Sequence, residues 1–293
     1  MSEIPVKEKA SRRRGKLYYT WKRLIRNKGA VLGMVIMLFF CLMMLFADVL
    51  YDYEEEVIKP QYDICLEAPS LEHPLGTDEL GRDVLARIVY GSRYTILISL
   101  ASVFFAVVVG GFLGAVAGFY DGRLSNLIMR LMDILLAIPG TLLALVMAAA
   151  LGTSVTNLVI ACGVGSVPKF ARILRSSILS ERSKDYVESS RALGAKESTI
   201  LVRHVLPNSI APLFVQTTLS VGTIALLLAG ISFLGLGIQP PTPEWGAMLS
   251  SARTYIRDYG YLCIFPGLAI MLCILALNLL GDGLRDALDP RLK

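Results

Sequence analysis

Charge is scarce in this chain. Only 18% of its residues are charged against 54% hydrophobic, and the mean hydropathy is +0.58, a balance that excludes an ordinary soluble domain. Histidine is nearly absent: His73 and His204 are single residues without metal partners. None of the five cysteines shows ligand spacing. Cys41, Cys162 and Cys273 fall in apolar runs and read as small buried hydrophobes, while a bridge between Cys65 and Cys263 is conceivable. No G-x-x-x-x-G-K-[ST], H-E-x-x-H or G-x-S-x-G occurs, so no recognisable motif binds nucleotide or performs hydrolysis. A barrel is excluded too, because no run alternates with a period of two.

What the chain does have is long apolar runs. A bilayer core takes about 20 apolar residues per spanning helix, and six windows qualify: Gly29 to Leu50, Thr95 to Phe119, Leu127 to Leu151, Val155 to Phe170, Ser209 to Leu234 and Tyr261 to Gly281. Lipid offers no partner for a backbone amide, so these runs predict an all-α integral membrane protein of six transmembrane helices. A cleavable signal peptide competes for the first run. That run exceeds the roughly 7 to 15 apolar residues of a signal core and no A-x-A site follows, so a retained anchor is expected.

Residues 1–28 carry ten Lys or Arg against Glu3 and Glu8, which places the N-terminus in the cytoplasm. The basic leader is expected at anionic headgroups of the bilayer rather than on nucleic acid. Residues 51–94 are acidic around Glu54, Glu55 and Glu56, as suits the outer face, and six crossings return the C-terminus inside. On that count the stretch from Lys169 to Asn208, with eight basic and four acidic residues, is also cytoplasmic. The organisation is therefore a leader (1–28), an anchor helix (29–50), an outer loop (51–94), a membrane core (95–281) with a cytoplasmic segment at 181–208, and a tail (282–293).

That cytoplasmic segment reads as two short helices. Ser183 or Asp185 can cap the first, whose opening turn carries Glu188, and Gly194 can end it in a left-handed conformation. A second starts after Ala195 and is expected to stop at Pro207, which has no amide to donate. Ala192, Leu193 and Ala195 then form an apolar knob at the bend, able to enter a groove on another protein. From periodicity alone, a connector lying on the membrane surface is an equal reading.

Within the spans, Gly110, Gly111, Gly114 and Gly118, with Gly222 and Gly230, suit close helix packing. Asp133 carries a cost of about 2.5 to 3.5 kcal/mol in mid-membrane; with Arg130 three residues earlier on the same helix face, a structural ion pair or a contact with the tail is favoured over a substrate contact. Pro139-Gly140 predicts a bend that could serve gating, and Asn278 is expected to hydrogen-bond another helix. Pro240, Pro241 and Pro243 prevent the fifth helix from extending. Trp245 reads as an interfacial anchor, and the segment from Gln239 to Gly246, with Pro240, Pro241, Glu244 and Trp245, as either a rim receiving a partner or a plain re-entrant turn.

Glu188-Ser189-Ser190-x3-Gly194, followed after nine residues by His204-x-Leu206-Pro207, resembles the E-A-A-x3-G-x9-I-x-L-P signature of ABC importer permeases. Ser189 and Ser190 stand for its alanines and His204 for its isoleucine. The stretch Gly76-Thr-Asp-Glu-Leu-Gly-Arg-Asp-Val-Leu85 with Gly91-Ser-Arg-Tyr-Thr, the loop from Phe233 to Gly246 and the tail from Gly281 to Leu292 are similar to the C-type permeases of dipeptide, oligopeptide and nickel importers. The resemblance implies the type I importer permease fold in the cytoplasmic membrane of a prokaryote. It also implies a second related permease, two cytoplasmic ATPases and an external solute-binding protein as partners. ATP and Mg would be used by the ATPase subunits, and this chain would bind no cofactor or metal and have no catalytic residue. Glu188, Ser189, Ser190, Ala192, Leu193, Gly194, Ala195, Leu206 and Pro207 would seat in an ATPase cleft, and the cargo would be short peptides, with nickel or a metal chelate as the alternative. A secondary transporter or an intramembrane enzyme would instead need coupling carboxylates, internal repeats or a nucleophile set, and Asp133 is the one candidate acid.

Overall fold

A computed structural model of the chain describes residues 18 and 20–288; the leader up to residue 17 and the tail residues Asp289 and Arg291 lie outside them. The described residues are almost wholly helical. Four helices are each long and apolar enough to cross a membrane, and two bent pairs bring the total to as many as six.

The first, α1 (Lys28–Leu50), begins where Asn27 accepts a hydrogen bond from the Ala30 amide at 3.2 Å. Short turns at Tyr53–Ile58 and Tyr62–Ile64 lead to α2 (Val84–Phe119), capped by Asp83 through the Ala86 amide at 2.8 Å. At 36 residues α2 is roughly 54 Å long, well beyond a bilayer core of about 30 Å. It takes in residues 84–94, the last quarter of the expected outer loop, so the expected boundary at 94/95 falls inside a helix. Apolar counting missed this because Arg87 and Arg93 interrupt the run.

The third window is broken. Helix α3 (Arg123–Ala137) meets α4 (Gly140–Leu151) at 88°, with Pro139 at the corner, as the proline predicted. The fourth is broken as well: α5 (Val155–Val164) and α6 (Val167–Arg182) meet at 49°, with Pro168 in the first turn of α6. Helix α7 (Asp185–Ala192) and the run α8 (Glu197–Ile200) follow, α8 widening into a π-turn at Leu201–Val205 and closing at Leu206–Ser209. Then come α9 (Ala211–Phe233), the short α10 (Trp245–Ala252) and α11 (Tyr261–Leu288), which carries the helix past the expected end at Gly281.

Helix α2 is the centre of the bundle, packed against α6, α5, α9 and α1. Its contact with α6 is made by glycine. A Cβ on Gly110 would strike the Val167 carbonyl, one on Gly114 the Ala171 carbonyl, and one on Gly118 would sit 3.0 Å from the Arg175 backbone. The two helices therefore meet backbone to backbone, the close approach expected of small residues in lipid. Gly222 packs against α11, but Gly230 faces open space and lines a groove between α9 and α11. Its absence of a side chain widens that groove instead of tightening a seam. Asn278 is exposed in the same groove and makes no hydrogen bond among the described residues. On the outside of the bundle Phe104, Phe112 and Val49 are exposed, an arrangement tolerable where lipid is the solvent.

Candidate functional site

The bend between α7 and α8 is built by its own backbone. Gly194 has φ +80, its amide donates to Arg191 O at 3.0 Å, and the Ala195 amide reaches Ser190 O at 3.2 Å. This is the Schellman pattern that ends a helix on a left-handed residue. Neither Ser183 nor Asp185 caps the start of α7: Lys184 occupies the cap position without a side-chain bond, and Ser183 Oγ turns back to Ser180 O. Asp185 and Glu188 both lie in the first turn, where the helix dipole favours negative charge.

Leu193, at the tip of the knob, is more exposed than Val202, the exposed apolar residue of the helix that follows. Leu193 is 89% exposed, Ala192 is exposed and Ala195 half-buried. Glu188 is exposed, whereas Ser189 and Ser190 each return their hydroxyl to the carbonyl four residues back, at 2.8 Å. Arg191 braces the bend by reaching over Gly194 to Glu197 in a forked pair of 2.6 and 3.1 Å. The guanidinium holds the Glu197 carboxyl below the usual carboxylate range, and Glu197 in turn raises Arg191.

Under the knob the segment is anchored. Val187, Ile200 and Val205 are fully buried, Tyr186 donates to Glu181 at 2.6 Å, and Ser177 donates to Ser209 O at 2.8 Å. Burial first, and the Glu181 hydrogen bond second, push the Tyr186 hydroxyl upward. Pro207 does not end the second helix. The π-turn before it shifts the hydrogen-bond register, Leu206 N donating to Leu201 O, and the helix continues through exposed Pro207 to Ser209 with Leu206 half-buried. The brace and the three buried anchors escaped the sequence reading, although charges flanking a glycine and lone β-branched residues in a polar stretch were visible signals.

Asp133 pairs with a different partner from the one expected. Its Oδ1 accepts from Arg172 Nη2 of α6 at 2.6 Å, while Arg130 lies exposed a turn earlier. The 49° break turns α6 alongside α3, a geometry that helix periodicity within α3 could not reveal.

At the opposite end of α2 the Pro-rich segment closes on the bundle. Pro240 and Pro241 are exposed, but Glu244 and Trp245 are fully buried, which corrects their reading as a contact rim and as an interfacial anchor. The Trp245 ring lies against Gly91, where a Cβ would come within 2.9 Å, and its Nε1 donates to Ile88 O at 3.0 Å. Glu244 caps α10 through the Gly246 and Ala247 amides at 3.0 and 2.9 Å and accepts from Thr95 Oγ1 at 3.1 Å. Burial pushes its carboxyl up against the pull of these donors. Nearby, Asp78 gathers the Leu80 and Arg82 amides and Arg82 Nε, and His73 pairs with Asp83 at 2.9 Å. Cys65 and Cys263 are both free.

Two family models match this chain: the binding-protein-dependent transport system inner membrane component over residues 110–293, and the N-terminal transmembrane domain of oligopeptide transport permease C over residues 17–69. The di/tripeptide transport system permease protein DppC of Pseudomonas aeruginosa is 46% identical, over 93% of this chain and 91% of that protein. The dipeptide permease DppC of Alkalihalophilus pseudofirmus is 43% identical over 93% and 89%, and the glutathione permease GsiD of Pectobacterium atrosepticum 43% over 93% and 90%. Among solved structures, inward-facing forms of the MetNI methionine ABC transporter share the fold, with a TM-score of 0.58, 19% identity, and coverage of 70% of this chain and 98% of that one. With a buried helical framework, an exposed glycine bend and matches along nearly its whole length, the chain belongs to the family of binding-protein-dependent transport system inner membrane components.

Proposed function

We propose that this chain is one permease subunit of an ATP-driven importer that moves di- and oligopeptides across the cytoplasmic membrane by alternating access. The observation that carries the reading is the bend at Leu193-Gly194: an apolar side chain, 89% exposed, held out on a braced and anchored platform. Burying a leucine of this kind is worth about 1.5 to 3 kcal/mol, enough to make the knob a docking point for an ATPase subunit. Exposed Glu188 supplies a charge for a basic group beside that cleft.

In this reading the termini and the bend face the cytoplasm, six spans cross the membrane, and the Pro-rich segment faces outward. A second related permease, two ATPases and an external solute-binding protein complete the machine, with ATP and Mg handled by the ATPases alone. Nucleotide-driven closure of the ATPases pushes the permeases between inward-open and outward-open forms as rigid bodies. Peptide cargo is supported by relatives named for dipeptides, tripeptides and glutathione, glutathione being itself a tripeptide.

The test is reconstitution of the chain with its partner subunits in proteoliposomes, followed by uptake of labelled di- and tripeptides with and without ATP. ATP-dependent peptide uptake is expected. Uptake by this chain alone, or of nickel complexes in place of peptides, would overturn the mechanism or the cargo respectively.

A further inference from the structure

Helix α2 touches the two ends of this machine through different kinds of joint. At the bend end, Gly110, Gly114 and Gly118 put its backbone directly on α6. Arg182 Nη1 there donates to Phe119 O at 2.8 Å, and only Ser183 and Lys184 separate α6 from α7. At the far end the joint is polar and buried: Thr95 Oγ1 to Glu244 Oε1 at 3.1 Å, Trp245 Nε1 to Ile88 O at 3.0 Å, and Arg87 Nη1 to Pro241 O at 3.2 Å. Between Val84 and Phe119 the helix is unbroken, unlike the two bent pairs beside it, so a rotation imposed at one end reaches the other.

We propose that Thr95 and Glu244 are positioning residues that fasten the external Pro-rich segment to α2, so that arrival of the loaded binding protein outside is transmitted to the ATPase-docking bend inside. Both side chains are fully buried. The carboxylate caps α10 through two amides, and Thr95 Oγ1, which donates to that carboxylate and accepts from the Trp245 amide at 3.4 Å, ties the capped segment to a span. The inference rests on the importer reading above.

The test uses the full complex in nanodiscs. ATP hydrolysis is measured with and without binding protein loaded with tri-alanine, for the parent chain, Thr95→Val and Thr95→Ser. Valine matches threonine in shape and leaves the bonds from Gly246 and Ala247 intact while removing those of Thr95 Oγ1 with Glu244 and the Trp245 amide. Thr95→Val should keep its unstimulated rate and lose about fivefold in stimulation, the scale set by one buried hydrogen bond, and Thr95→Ser should restore it. Full stimulation of Thr95→Val would overturn the inference. Hydrogen exchange across residues 242–252 of the unmodified complex gives a second measurement that does not depend on the variant folding. Trapping the ATPases with ATP and vanadate should change exchange there, and an unchanged pattern would equally refute the linkage. A parent complex that shows no stimulation at all would instead defeat the importer reading.

Discussion

Gly194 shows how one residue carries a mechanical role. No atom lies within 4 Å of where its Cβ would be, and its φ is +80, so the cost of substitution is conformational and not steric. Gly194→Val should cost on the order of 1 to 2 kcal/mol at the bend and abolish transport-linked ATP hydrolysis in a complex that still assembles. Gly194→Asn, which tolerates the left-handed region, should keep most of it; ATPase assays on both variants check this. Leu193→Asp should leave the thermal stability of the chain unchanged, because the side chain is 89% exposed, yet weaken copurification with the ATPases by roughly tenfold or more, the value of a buried leucine. Gly194 was legible because a glycine after a polar, charged turn has few other uses. Trp245 was not: the rule that places tryptophan at the membrane interface is statistical, and the pocket that takes the indole is made by Gly91, remote in sequence.

At the scale of elements, sequence spacing and structure agree where the cause is local. Glycines four apart on α2 predicted a close seam, and Pro139 predicted the corner between α3 and α4. They part where a neighbour decides: Arg172 replaces Arg130 as the partner of Asp133 because α6 is folded alongside α3, and a π-turn carries α8 past Pro207. The seam gives a sharp contrast. Gly114→Leu should prevent α2 and α6 from meeting and destabilise the chain by several kcal/mol, as overpacking against backbone does. Gly111→Ala, whose Cβ would meet Leu174 and Leu213 at ordinary distances of 3.8 and 3.9 Å, should be tolerated. Thermal denaturation in detergent separates the two. The brace across the bend has its own pH window. The Glu197 carboxyl is held below the usual carboxylate range by Arg191, so the pair is present at neutral pH and is lost only as pH falls through that lowered value. A carbon-13 titration of the Glu197 carboxyl should move upward in Arg191→Ala.

For the whole molecule, composition alone announced a membrane protein, and the charge pattern supplied a topology that can be tested. A single-cysteine chain carrying Leu193→Cys should react with a membrane-impermeant maleimide in inside-out vesicles and not in intact cells; the reverse pattern would invert the orientation. The number of crossings was less legible, because hydropathy windows see continuous apolar stretches and not the 88° and 49° corners inside two of them.

Those corners acquire a further meaning beside the glycine contact of α2 with α6. Along that contact Gly110, Gly114 and Gly118 offer no rotamers to exchange and hold backbone against backbone, so α2 contributes little there to absorb a displacement. The breaks at Ile138–Pro139 and around Gly165–Ser166, where the helices bend by 88° and 49°, are the places in the spans where a displacement can be taken up as a change of angle.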